Sequence, residues 1–152
     1  MMFKKIVVVF IAAVITFPIY AKDTLQFSDA WVPEAPPVVK VMAGYLKIKN
    51  MTAKAIDISK VTSPDFEKVE MHLTVEKDGM SRMLQQDVIS VAANDELLFQ
   101  RGGLHLMLIN AKHGMKRGDK ITLNFSTKEN TFTIMAEIKE AVIEDHSHHH
   151  HH

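Results

Sequence analysis

No cysteine occurs anywhere in the 152 residues. That excludes a disulfide framework, a thiolate metal site and a cysteine nucleophile together. Nor is there an excess of either charge: 18 Lys and Arg stand against 18 Asp and Glu. Nucleic-acid binding calls for a basic footprint, and this chain has none. Long apolar runs are missing as well, since the longest, Ile6 to Phe17, is about a dozen residues where a membrane span needs ~20. There is no nucleophile elbow, no pair of catalytic carboxylates and no H-E-x-x-H, so no enzymatic chemistry is expected. A chain that is 47% hydrophobic still has enough mass to bury one globular core.

What the sequence does have begins with a leader. Lys4 and Lys5 precede the apolar run, and Pro18 and Ala21 precede the charged Lys22-Asp23. This is the layout of a secretory signal cleaved after Ala21. The expected organisation is a signal peptide over 1–21, a β-domain over 22–142 and a His-rich tail over 143–152. Cleavage would leave 16 basic against 18 acidic residues and no stable membrane insertion. The tail "HSHHHHH", His146 to His152, reads as a native extension or a purification tag. In either case it offers imidazoles to Cu(II) or Cu(I).

Beyond the leader no amphipathic helix is evident. Short alternating or apolar runs fall at 25–32, 43–50, 55–63, 68–76, 81–86, 87–93, 96–100, 104–110, 120–127 and 131–140, separated by breaks such as "PEAPP", "KDG", "RGG" and "KEN". Eight to ten strands at this spacing predict an all-β, antiparallel Greek-key sandwich or barrel. Parity then sorts the side chains. Val69, Met71, Leu73 and Val75 share one face of 68–76, leaving Glu70, His72, Thr74 and Glu76 on the other. His72 is thereby expected where a strand meets water or a partner loop.

One strand departs from this pattern. In "GGLHLMLIN", Leu104, Leu106 and Leu108 alternate as a core face should, so His105, Met107 and Ile109 take the second face. Side chains at i and i+2 lie roughly 6 to 7 Å apart, which lets an imidazole and a thioether converge on one ion. Further ligands must come from elsewhere, and His72 and Met83 flank the "KDG" turn, so a hairpin can bring them side by side. Two imidazoles and two thioethers would make a neutral, soft site that suits Cu(I) better than Zn²⁺ or Ca²⁺. A lone methionine in a β-protein is usually core filler, however, and that reading is taken for Met42, Met51, Met71 and Met135. A lone strand histidine is usually a surface residue.

The spacing His72-x10-Met83-x21-His105-x-Met107 resembles the Cu(I) signature of the PCuAC family of periplasmic copper chaperones. "DAWVPEAPP", "AGYLKIKN", "VEMHLTVEKDGMSRM", "GGLHLMLINAK" and "RGDKITLNF" resemble successive segments of that family. Arg101, before Gly102-Gly103, and Pro33 depart from its pattern, and Met80 and Met115 are extra thioethers near the matched segments. The resemblance implies a cupredoxin-like fold, with His72, Met83, His105 and Met107 as ligands for one Cu(I). It also implies periplasmic delivery of copper to respiratory oxidase sites of the CuA type, alongside a thiol-bearing copper chaperone. Copper sequestration and a metal-free β-sandwich binding module are the competing readings. A blue-copper electron carrier is disfavoured because its site needs a cysteine thiolate.

Overall fold

The computed structural model describes residues 24–141; the expected leader and His-rich tail lie outside them. Ten strands make up the secondary structure of the described residues, with no helix among them. They are β1 (Leu25–Pro33), β2 (Val41–Asn50), β3 (Ile56–Thr62), β4 (Phe66–Lys77), β5 (Met80–Gln86), β6 (Ile89–Val91), β7 (Glu96–Phe99), β8 (Leu104–Ala111), β9 (Lys120–Thr127) and β10 (Thr131–Lys139). One sheet joins them in the order β5-β4-β8-β7-β2-β1-β10-β9-β3-β6, with β8 also pairing β2. The all-β, cupredoxin-like expectation holds. Its ladders are antiparallel except for two, β1 with β10 and a single pair between β7 and β8.

The core is built from strand parity. Leu46 and Ile48 of β2, Leu106 and Leu108 of β8, and Ile121, Leu123 and Phe125 of β9 are all buried. Strands from both halves of the sheet contribute to the same cluster, so the sheet encloses its apolar face instead of leaving it to water. β1 spans the two halves through a bulge. Its register with β2 shifts between Ser28 and Trp31, and Asp29 takes the left-handed conformation, with φ 52°. The extra residue reverses parity, so Leu25 and Val32, an odd and an even position, both reach the core.

A buried polar hub ties β2 to the loop before β7. The Asn50 amide nitrogen donates to the carbonyls of Lys54, Val91 and Ala92, and its oxygen accepts from the Thr52 N–H and hydroxyl. The methionines divide differently from the sequence expectation. Met42 and Met71 are in the core, but Met51 and Met135 are about half exposed. Met51 sits just past the end of β2 and Met135 on the outward parity of β10, where the core takes Ala136 and Ile138 instead.

Candidate metal centre

The β4–β5 hairpin determines where its methionine lands. Asp78 and Gly79 both have positive φ, 55° and 74°, as a two-residue type I′ turn requires, and Asp-Gly is a favoured pair for it. The turn sets Lys77 opposite Met80. Counting back along the ladder places Met83 opposite Thr74 and Gln85 opposite His72.

On the other side of β4, His105 of β8 is the direct partner of His72, and Met107 is the partner of Glu70. Residues paired across a ladder share a face, as do residues two apart along a strand. Glu70, His72, Thr74, Met83, His105 and Met107 therefore lie on one face of β5-β4-β8. His72 is central to the group: His105 is directly across from it, while Met83 and Met107 sit on opposite diagonals. Diagonal neighbours are separated by about 7–8 Å, a distance that an unbranched thioether can bridge by bending toward the histidine. The structure thus brings the two imidazoles together directly and sets one methionine on each flank.

The two rings have centroids 6.0 Å apart and are tilted by 35°. A metal–imidazole nitrogen bond of about 2 Å puts an ion about 3 Å from each ring centre, so rings sharing an ion lie at most about 6 Å apart. The pair is at the wide end of that range. Neither ring is exposed: His72 is 9% and His105 6% accessible, which corrects the expected water-facing position of His72. Both faces of β4 are covered there, since Met71 is buried too. Met83, by contrast, is 61% exposed on the outer strand β5.

Each ring has one nitrogen engaged. His105 Nδ1 lies 3.0 Å from the Gly103 carbonyl oxygen. His72 Nε2 lies 2.8 Å from Glu70 Oε2, and the other Glu70 oxygen takes the Lys68 ammonium. His72 Nδ1 is buried with no hydrogen-bond partner. The Lys68 ammonium first, and then the His72 ring, hold the Glu70 carboxyl below its ordinary value against the opposing effect of burial. Among the described residues no three His, Cys, Asp or Glu side chains cluster as a metal site. The sequence reading placed Glu70 on the right face but gave it no role, and the side-chain bond to His72 two residues on has no signature in strand periodicity.

Arg101, one of the departures from the expected pattern, has its guanidinium carbon 5.8 Å from the Trp31 ring centre. Met115 packs partly buried against the core, and Met80 is exposed at the hairpin tip.

Comparison with known proteins places these observations in a family. The sequence model of the family described as "Putative lipoprotein LpqE-like" matches residues 25–138. An uncharacterized protein of Rickettsia prowazekii is 25% identical over 122 residues, 76% of this chain. A protein of Leifsonia xyli subsp. xyli named as a lipoprotein is 31% identical over 107 residues, 68% of this chain. The matched region spans 66% and 63% of the lengths of those two relatives. Among solved structures, the copper-bound PCuAC domain from PmoF2 superposes with a TM-score of 0.67 at 17% identity, covering 80% of this chain and 97% of that domain. The Cu(I) form of a Deinococcus radiodurans protein superposes with a TM-score of 0.60 at 24% identity, covering 74% and 76%. The fold is the PCuAC fold, as the motif resemblance implied.

Proposed function

This chain belongs to the LpqE-like family, and from that premise we propose that it is an exported carrier of Cu(I), holding one ion between His72, His105, Met83 and Met107. The observation that carries this reading is the direct cross-strand pairing of His72 and His105, with ring centroids 6.0 Å apart. Two buried imidazoles at that separation fit a single ion, and the residues within reach that complete the set are neutral and soft. Thioethers select Cu(I) over the harder divalent ions. A neutral donor set also leaves no uncompensated buried charge behind when the ion departs.

Copper here is cargo, and the arrangement suits its transfer. The histidines sit in the wall of the sheet while Met83 projects from an outer strand, so an incoming ligand from an acceptor can displace the exposed thioether first. The ion then passes by ligand exchange, with no covalent chemistry. The acceptor class we propose is a copper site of a respiratory oxidase, reached in the periplasm and served alongside a thiol-bearing copper protein. No cysteine-linked lipid can be attached within these 152 residues, which contain no cysteine.

A Cu(I) competition titration tests the reading, run with His72, Met83, His105 and Met107 changed in turn and repeated without His146 to His152. One tight ion per chain is expected, lost on changing either histidine and unaffected by removing the tail. A variant lacking all four side chains that still binds Cu(I) as tightly would overturn it.

A further inference from the structure

Glu70 stands outside the proposed donor set, yet it makes the closest polar contact to that set. On the copper reading proposed above, on which its role depends, that contact is made to a ligand. An ionised carboxylate can only accept hydrogen bonds. Since Lys68 holds one Glu70 oxygen and His72 Nε2 lies 2.8 Å from the other, that nitrogen must carry the proton. In a neutral imidazole the lone pair is then on Nδ1, the atom that is buried without a partner. Across the ladder the Gly103 carbonyl accepts from His105 Nδ1, which leaves the His105 lone pair on Nε2.

A buried acceptor with no partner is destabilising, so an unpaired nitrogen in an otherwise satisfied strand calls for an explanation. Histidines that bind metals characteristically donate their second ring N–H to a carboxylate or a backbone carbonyl, fixing tautomer and orientation. Here His72 has the carboxylate and His105 the carbonyl.

We propose that Glu70, held in turn by Lys68, is the positioning residue of the copper centre: it locks His72 in the Nε2–H tautomer and so assigns Nδ1 of His72 and Nε2 of His105 as the coordinating atoms. Lys68, Glu70 and His72 alternate along one face of β4, so a single strand supplies the ligand, its orienting carboxylate and the cation that holds that carboxylate in place. Glu70 is also the cross-strand partner of Met107, which places the orienting group between two of the four ligands.

The test needs no metal for its first readout. In the full chain with nitrogen-labelled histidines, the ring nitrogen shifts of His72, identified by their loss in His72→Ala, should report the Nε2–H tautomer. Glu70→Ala should abolish that preference and weaken Cu(I) binding about 10- to 100-fold. Glu70→Gln retains an oxygen that accepts from Nε2–H, so it should preserve the tautomer and restore most of the affinity. Finding His72 in the Nδ1–H form, or unchanged tautomer and affinity in Glu70→Ala, would overturn the role of Glu70 while leaving the copper reading in place. If His72→Ala and His105→Ala also bind Cu(I) as tightly as the unaltered chain, the copper reading itself fails, and the positioning role with it.

Discussion

Met83 stands opposite Thr74 on the β4–β5 ladder, one step diagonal to His72, and it is 61% exposed while His72 and His105 are 9% and 6%. Ligands that differ this much in burial contribute differently to stability and to metal affinity. Met83→Ala is expected to weaken Cu(I) binding about tenfold or more, a loss of at least about 1.4 kcal/mol. Its effect on apo-protein stability should stay within about 0.5 kcal/mol, as for other surface changes. His105→Ala should lower both. Parallel denaturant and Cu(I) titrations of the two variants would check this, and a Met83→Ala variant as destabilised as His105→Ala would contradict it.

The exposed thioether should also be chemically distinguishable from its neighbours. Met51, Met80, Met83 and Met135 are all about half exposed or more, while Met42 and Met71 are buried. Mild oxidation should convert the first four to sulfoxides and spare the last two. With Ag(I), a redox-inert stand-in for Cu(I), Met83 alone of the exposed four should become protected. Peptide mass spectrometry reads this directly, and uniform oxidation with and without Ag(I) would remove Met83 from the site.

Asn50 carries much of the local architecture away from the metal face. It is fully buried, and its amide donates to three backbone carbonyls, of which that of Val91 is reached in a fully buried hydrogen bond. Asn50→Ala should destabilise the fold by about 1–3 kcal/mol, the cost of leaving the buried Val91 carbonyl unsatisfied. A midpoint unchanged in a denaturant titration would show that the loop between β2 and β3 rearranges to compensate.

The His113–Asp65 pair gives the fold a pH-dependent contribution. His113 Nε2 lies 3.1 Å from Asp65 Oδ1. The hydrogen bond to Asp65 first, and then the Gly114 carbonyl, raise His113 above its ordinary 6.5. For Asp65 the largest influence is burial, which pushes upward, but the Thr122 N–H and the His113 bond together outweigh it and leave the carboxyl below its ordinary 3.8. A raised histidine contributes stability that is fully present below its unfolded value and fades as pH rises through the folded one. A lowered carboxyl contributes above its unfolded value and loses this as pH falls through the folded one. Both contributions are fully present together only between about pH 4 and 6.5. The melting-temperature difference between the unaltered chain and His113→Ala should therefore be greatest near pH 5 and shrink above neutrality. Equal differences at pH 5 and pH 8 would mean the pair contributes no such dependence.

Strand periodicity was enough to locate nearly every strand, because inward Leu, Ile, Val and Phe alternate cleanly in β2, β8 and β9. It also put His105 and Met107 on one face of their strand and let the turn at 77–79 bring His72 and Met83 together, but the four as a single set came from the family resemblance, because the pairing of β4 with β8 has no local signal. Features that depend on distant pairing were not legible. The parallel contact of β1 with β10 joins the two ends of the domain and has no local marker. His72 looked solvent-facing because parity describes the two faces of one strand, and says nothing of the neighbours that cover both at this point. Asn50 ends "KIKN" like an ordinary turn residue, and only the approach of the segment before β7 shows that it is a buried hub. Glu70 was assigned to the correct face without a function, for its bond to His72 is a matter of side-chain rotamer.

The parallel pairing of β1 with β10 gives the domain two distinct poles. Trp31 is level with Glu137 in that ladder and with Tyr45 in the next, and Gly44 is level with Leu106, so the histidine pair lies near the Pro33 end of β1. Leu25, at the other end, is six residues back from Trp31, or about 20 Å at the rise of a strand. The last described residue, 141, follows β10 out at the histidine pole. The two ends of the described domain are therefore unlike: residue 24 opens it at the pole remote from the histidine pair, and residue 141 closes it at the near one.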